Sequence, residues 1–102
     1  MEETNDRHTA VVVTAEGEYD ADNLGPLTDR LSTAAETHRT VVLDASAITF
    51  ADSSFLNLLL KVHHTTALRI AGPRNQLSRL LQMTCADRVL DLRPTVEDAL
   101  RP

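Results

Sequence analysis

The 102-residue chain contains one cysteine, three glycines, no tryptophan and only three aromatic residues, Tyr19, Phe50 and Phe55. The lone Cys85 excludes an internal disulfide and a multi-thiolate zinc site, and a small domain without staples fits a reducing compartment, which makes the cytoplasm the expected location. Gly17, Gly25 and Gly72 stand too far apart to build a P-loop or a dinucleotide-binding fingerprint. So few aromatics leave no stacking platform for single-stranded nucleic acid. Basic charge is short as well: ten Lys and Arg against fifteen Asp and Glu give a formal net charge of -5, the wrong sign for holding a phosphate backbone. No apolar run approaches the ~20 residues needed to cross a bilayer. The acidic start Met1-Glu2-Glu3 is the reverse of a basic export signal, so neither export nor membrane insertion is expected.

What is present is an ordinary globular composition, 42% apolar and 25% charged, enough for one domain with a single core. Residues 1–9 are polar and read as a tail. Ala10 to Val13 then form a β-branched run, a first strand buried on both faces that ends near Ala15. Leu24, Leu27, Leu31, Ala34 and Ala35 recur at helical spacing as far as about Glu36, and Pro26 must lie in the first turn, which favours Asn23 over Asp20 as the cap. Val41 to Leu43 repeat the buried-strand pattern, after which Asp44 to Thr49 are expected to leave the sheet. Asp52, Ser53 and Ser54 offer three consecutive capping side chains in front of Phe55, Leu58, Leu59 and Val62. Leu56 and Leu60 widen that apolar stripe, which fits either a deep core or a surface kept for a partner. Leu68 to Ala71, then Leu77, Leu80, Leu81 and Met83, then Val89 to Leu92, then Val96, Ala99 and Leu100 complete the alternation. Strands starting near 10, 41, 68 and 89 are spaced like crossover units. The expectation is therefore α/β in the order βαβαβαβα, with about four strands in a mostly parallel or mixed sheet and about four helices.

Enzymatic chemistry finds little support. His63 and His64 are adjacent, so on a helix they point about 100° apart and grip one metal poorly, and no metal site is expected. Ser53 or Ser54 with a histidine and Asp44 would make a triad, but the glycines of a nucleophile elbow are missing. Cys85 has no base or electropositive neighbour in sequence and reads as a small, partly buried, inert hydrophobe. The most distinctive stretch is Phe50-Ala51-Asp52-Ser53-Ser54-Phe55, which sets two hydroxyls on the first turn of an apolar helix. Capping alone explains it. A switch would use the same place, because free NH groups and the positive dipole end at a helix start favour an added phosphate, and its charge would repel an acidic or apolar partner.

Four segments carry a resemblance to the STAS domain family, and within it to bacterial anti-sigma factor antagonists. Gly17-Glu18-Tyr19-Asp20 resembles the family's Gly-Glu-Leu-Asp, and Val41 to Ser46 its Val-Leu-Asp-Leu-Ser. Phe50 to Ser54 resembles the phosphorylation loop, and Leu80 to Leu92 the Leu-x-x-Thr-Gly-x-Asp segment with the last strand. The resemblance implies a STAS-like domain over residues 10–102 and a regulator rather than an enzyme. Such a module binds an anti-sigma factor, usually a serine kinase of the GHKL type, and so frees a sigma factor. The kinase would phosphorylate Ser53 and a phosphatase would restore binding, with ATP held by the partner and no cofactor here. Asp20, Asp52, Ser54, Phe55 and Leu56 would form the switch loop and partner-binding surface of a monomer or weak dimer. The other implied role is a non-phosphorylated accessory subunit docking on another protein, such as the ATPase of a lipid transporter. Phe55 and Cys85 stand where the family usually has glycine, and residues 1–9 leave almost no room for the family's N-terminal edge strand.

Overall fold

The structure is a computed structural model, and it describes residues 10–101. The polar tail and any edge strand within residues 1–9 lie outside the described residues. Four strands, β1 (Ala10–Tyr19), β2 (Thr40–Ala51), β3 (Ala67–Ala71) and β4 (Asp91–Arg93), alternate with α1 (Gly25–Thr37), α2 (Ser53–Thr65), α3 (Asn75–Met83) and α4 (Val96–Leu100), and a 3-10 turn at Ala86–Arg88 precedes β4. The strands pair in parallel in the order β1-β2-β3-β4.

Each crossover advances one place in the same direction, and right-handed crossovers of that kind put their helices on one face. The packing agrees. Leu27 and Leu31 of α1, Phe55 and Leu59 of α2, and Leu77 and Leu81 of α3 share one core with Val13, Val41, Leu43, Leu68 and Ile70 of the sheet. On the other face a smaller cluster of Val42, Ala71 and Ala99 is completed by Val96 of α4. Leu56 is buried and Leu60 packs half-buried against the main core, so the wide stripe of α2 belongs to a deep core.

Four boundaries differ from the sequence reading. The first strand runs on past Ala15 to Tyr19, and as an edge strand it is not buried on both faces, since Val12 is 39% exposed. Residues 44–49 stay in the sheet: Glu16 pairs with Ala47, Gly17 with Ile48, Glu18 with Phe50 and Tyr19 with Ala51, with register shifts on either side of Gly17. Gly17 has φ +83°, a left-handed conformation that suits glycine and lets the strand bulge. The bulges break strict alternation, which is why this stretch does not read as strand. Helix α1 is capped by Leu24, without a side-chain bond, and Pro26 sits in its first turn. Asn23 serves the preceding loop instead: its Oδ1 accepts from the Asp20 NH at 2.8 Å and its Nδ2 donates to the Glu18 carbonyl at 2.7 Å. The last strand is Asp91–Arg93 rather than 89–92, because the Leu90 NH is drawn back to the Ala86 carbonyl at 2.8 Å.

Candidate functional site

Parallel pairing of Tyr19 with Ala51 brings β1 and β2 to the same end of the sheet, so Asp20 and Asp52 both follow directly on the last paired residues. From there β1 enters the loop held by Asn23, in which the Asp20 carboxylate also accepts from the Asp22 NH at 2.9 Å. The end of β2 turns directly into α2. Asp52 is extended and its Oδ1 accepts from the Ser54 NH at 2.9 Å and the Phe55 NH at 3.2 Å, while its carbonyl accepts from the Leu56 NH. One carboxylate oxygen thus occupies two of the first-turn donors that an added phosphate was expected to find free. Ser53 stands exposed beside this cap and Ser54 is half-buried.

The loop is anchored from behind by Gln76 in the first turn of α3. Its Oε1 accepts from the Ala51 NH at 2.9 Å and its Nε2 donates to the Ala51 carbonyl at 2.8 Å. This amide clasp replaces the strand pairing that Ala51 would otherwise need on that side. Sequence reasoning missed Gln76, since a partner 25 residues away leaves no local signal.

Phe55 and Leu56, expected among the partner-contacting groups, are core residues with 0% and 7% exposure. The Phe55 ring lies 5.5 Å from the Tyr19 ring at 32°, and the Tyr19 hydroxyl in turn accepts from the Glu16 NH at 3.2 Å across the bulge. The two positions where this chain puts an aromatic ring in place of the family's leucine and glycine therefore pack against each other. Bulk at position 55 turns inward, away from anything approaching Ser53. Glu18, Asp20 and Asp22 at the end of β1 and Asp52 at the end of β2 put four carboxylates at this end of the sheet; Phe50, 43% exposed, is the nearest large apolar group in the chain before Ser53.

The alternative catalytic group of Ser53, His63 or His64 and Asp44 is not brought together. His63 and His64 lie in the last turn of α2, ten residues and about 15 Å along the axis from Ser53. The Asp44 carboxylate is bonded to the NH and hydroxyl of Ser46, at 3.1 and 2.8 Å. Among the described residues no group of three or more His, Cys, Asp or Glu is placed to hold a metal ion, and no helix is long and apolar enough to cross a membrane. Cys85 is exposed rather than partly buried, and it carries φ +61° immediately after α3. This is the left-handed cap that a glycine would take without strain. The displaced titrations belong to β4. Hydrogen bonds from Arg93 at 2.6 and 3.1 Å hold the Asp91 carboxyl below its ordinary 3.8, with burial opposing and the charges of Arg93, Arg69 and His63 assisting. The Arg93 guanidinium is raised by the same bond.

A four-stranded parallel sheet with three helices on one face, ending in a rigid helix start that displays one serine, defines a small α/β interaction module. Residues 3–94 match the family model described as "Mlab, STAS domain", and the chain belongs to the STAS domain family. Among solved structures it is similar to an anti-sigma factor antagonist from Mycobacterium paratuberculosis, with 28% identity and a TM-score of 0.79 over 91% of this chain and 85% of that one. It is also similar to the anti-sigma factor antagonist SpoIIAA in its unphosphorylated form, with 20% identity and a TM-score of 0.75 over 90% and 85% of the two chains. The STAS domain of a SulP transporter from Vibrio cholerae shares the fold too, at 19% identity and a TM-score of 0.67 over 92% and 79%.

Proposed function

We propose that this chain is an anti-sigma factor antagonist whose partner-binding surface surrounds Ser53 and is switched off by phosphorylation of that serine. The partner is an anti-sigma factor, a serine kinase of the GHKL type that brings its own ATP; a phosphatase reverses the modification, and the chain itself performs no chemistry. The protein works in the cytoplasm as a monomer or weak dimer. The observation that carries the reading is the exposure of Ser53 on a first turn in which the Asp52 carboxylate already occupies the Ser54 and Phe55 NH groups. A phosphate of about -2 charge placed there finds two of the helix-start donors already bonded to a carboxylate, so its effect falls chiefly on the approaching partner. The 28%-identical antagonist supports the same role.

The second reading is a non-phosphorylated accessory subunit docking on another protein, such as the ATPase of a lipid transporter. What favours it is that the matching family model is described as "Mlab, STAS domain" and that a transporter STAS domain shares the fold. The test is a pull-down from source-cell lysate with the wild-type chain and with Ser53→Asp. Retention of a GHKL-type kinase by the wild type and its loss with Ser53→Asp is the expected result. The same partner on both baits would make Ser53 a structural residue and transfer the function to the second reading.

A further inference from the structure

We propose that the uncovered face of β1 and β2, from Val12 to Glu18 and from Asp44 to Phe50, docks a basic amphipathic helix of a partner protein, at a surface separate from Ser53. All-parallel sheets almost always carry helices on both faces, because their strands bury both sides. This sheet departs from that. Three helices fill one face, while on the other the five-residue α4 packs over β2, β3 and β4 and leaves part of β1 and β2 open. Val13 and Ala15 are buried in the main core, so the alternating, exposed Val12, Thr14, Glu16 and Glu18 stand on the α4 side. The register extends that strip onto β2, with Asp44 beside Thr14, Ala47 beside Glu16 and Phe50 beside Glu18. Ala47 and Phe50 are exposed and Asp44 is half-buried.

Neither strand contains Lys or Arg, so Glu16, Glu18 and Asp44 make the strip acidic. The arginines of the same face, Arg69 and Arg93, stand on its covered half, bonded to Asp91 and to the carbonyls of Asp98, Ala99 and Arg101. Arg30 reaches the outer edge of β1 from α1 and donates to the Thr14 carbonyl at 2.6 Å, which keeps its charge at the edge of the sheet. An occupant must therefore bring cations, and the exposed Val12 and Phe50 call for apolar groups on the same side of it. A second copy would set three carboxylates against three, and nucleic acid or an anionic lipid surface would be repelled. Val12 to Glu18 spans ~20 Å at the strand rise, the length of a helix of about 13 residues, and a helix is what ordinarily covers such a face. Ser53 starts α2 on the opposite face, so this surface stands or falls apart from the antagonist reading.

The experiment is a 1H–15N NMR titration of the full chain with a peptide of about 14 Leu and Lys residues whose leucines form one helical face. Two control peptides carry Glu in place of Lys or Ser in place of Leu. The expected result is saturable movement of the Val12, Thr14, Glu16, Ala47 and Phe50 amides, with both controls binding at least about tenfold more weakly. Thr14→Lys with Glu16→Lys, both at exposed positions, is expected to weaken the Leu/Lys peptide about tenfold while the rest of the spectrum stays in place. Shifts centred on Asp29 and Glu36 of α1 or on Asp20 and Asp22 would overturn the docking face, as would unchanged affinity in the double variant or the absence of saturable binding. Equal affinity for the Ser-substituted peptide would reduce the contact to charge alone and overturn the amphipathic helix. Movement of the same amides with chain concentration, in the absence of peptide, would make a second copy the occupant and overturn the proposal. The pull-down with Ser53→Asp reads the other surface, so the two proposals fail separately.

Discussion

Replacing Phe55 by the glycine usual in the family should destabilise the whole domain. The ring is fully buried in the main core and contacts the Tyr19 ring. Deleting a buried Phe side chain costs about 3–5 kcal/mol in transfer and cavity terms, and glycine adds up to about 1 kcal/mol of helix cost, less in a first turn. A loss of about 4–5 kcal/mol is expected for Phe55→Gly, set against a total stability of roughly 5–15 kcal/mol for a domain of this kind. With a urea m-value near ~1.5 kcal/mol/M, the unfolding midpoint read by circular dichroism should fall by about 3 M. Phe55→Leu keeps most of the volume and should lose only about 1–1.5 kcal/mol, which keeps the series measurable if the glycine variant is too unstable. A cycle with Tyr19→Leu should return a coupling of about 0.5–1.5 kcal/mol for the ring pair. A loss below about 1.5 kcal/mol in Phe55→Gly, with no coupling to Tyr19, would refute the inward packing and restore position 55 to the contact surface.

Other perturbations separate the fold from the switch. Cys85→Gly relieves a left-handed residue and should stabilise by about 1 kcal/mol, read as a rise of several degrees in the thermal midpoint; an unchanged or lower midpoint counts against the φ of +61°. Asp52→Ala removes the α2 cap and should cost about 1 kcal/mol, or ~4–8 °C, whereas the exposed Ser53→Asp should stay within about 0.5 kcal/mol of wild type. Gln76→Leu leaves the Ala51 NH and carbonyl unpaired, so hydrogen exchange at Ala51 should accelerate well before the global rate does. Because the folded pKa of Asp91 lies below its unfolded value, its contribution is complete above about pH 4 and is lost as pH falls through the folded value. The stability gap between wild type and Asp91→Asn, of only about 0.5 kcal/mol for a partly exposed pair, should therefore vanish in acid and be constant from pH 5 to 7.

The alternating order of strands and helices was legible because Val11 to Val13, Val41 to Leu43 and Leu68 to Ile70 are short β-branched or aliphatic runs between clear helical stripes. Asp52 was legible as a cap for the same local reason, and its side chain does cap α2. What stayed hidden depends on partners distant in sequence. Residues 44–51 are strand because the bulged β1 runs beside them, not because of their own pattern. The direction of the Phe55 ring is set by Tyr19, 36 positions earlier, and the rigidity of the Ser53 loop by Gln76, 25 positions after Ala51. The cap of α1 was misread because Asn23 has a competing use in the Asp20 loop, which local capping preference does not register.

The sequential order of the strands also bears on how the chain reaches this structure. Val11 pairs with Val41, Val41 with Leu68 and Arg69 with Asp91, so the sheet closes loops of 30, 27 and 22 positions and no pairing joins the two ends of the described chain. Closure entropy grows only slowly with length, which makes the three steps nearly equal in cost and lets each new strand add to an edge already formed. Assembly can then proceed by accretion across the sheet during synthesis, with β1 and β2 joined before α3 has been made. Since Gln76 lies in α3, the serine loop gains its clasp only late in that sequence, and a chain stalled before α3 would carry the Ser53 segment without the support that makes it a defined surface.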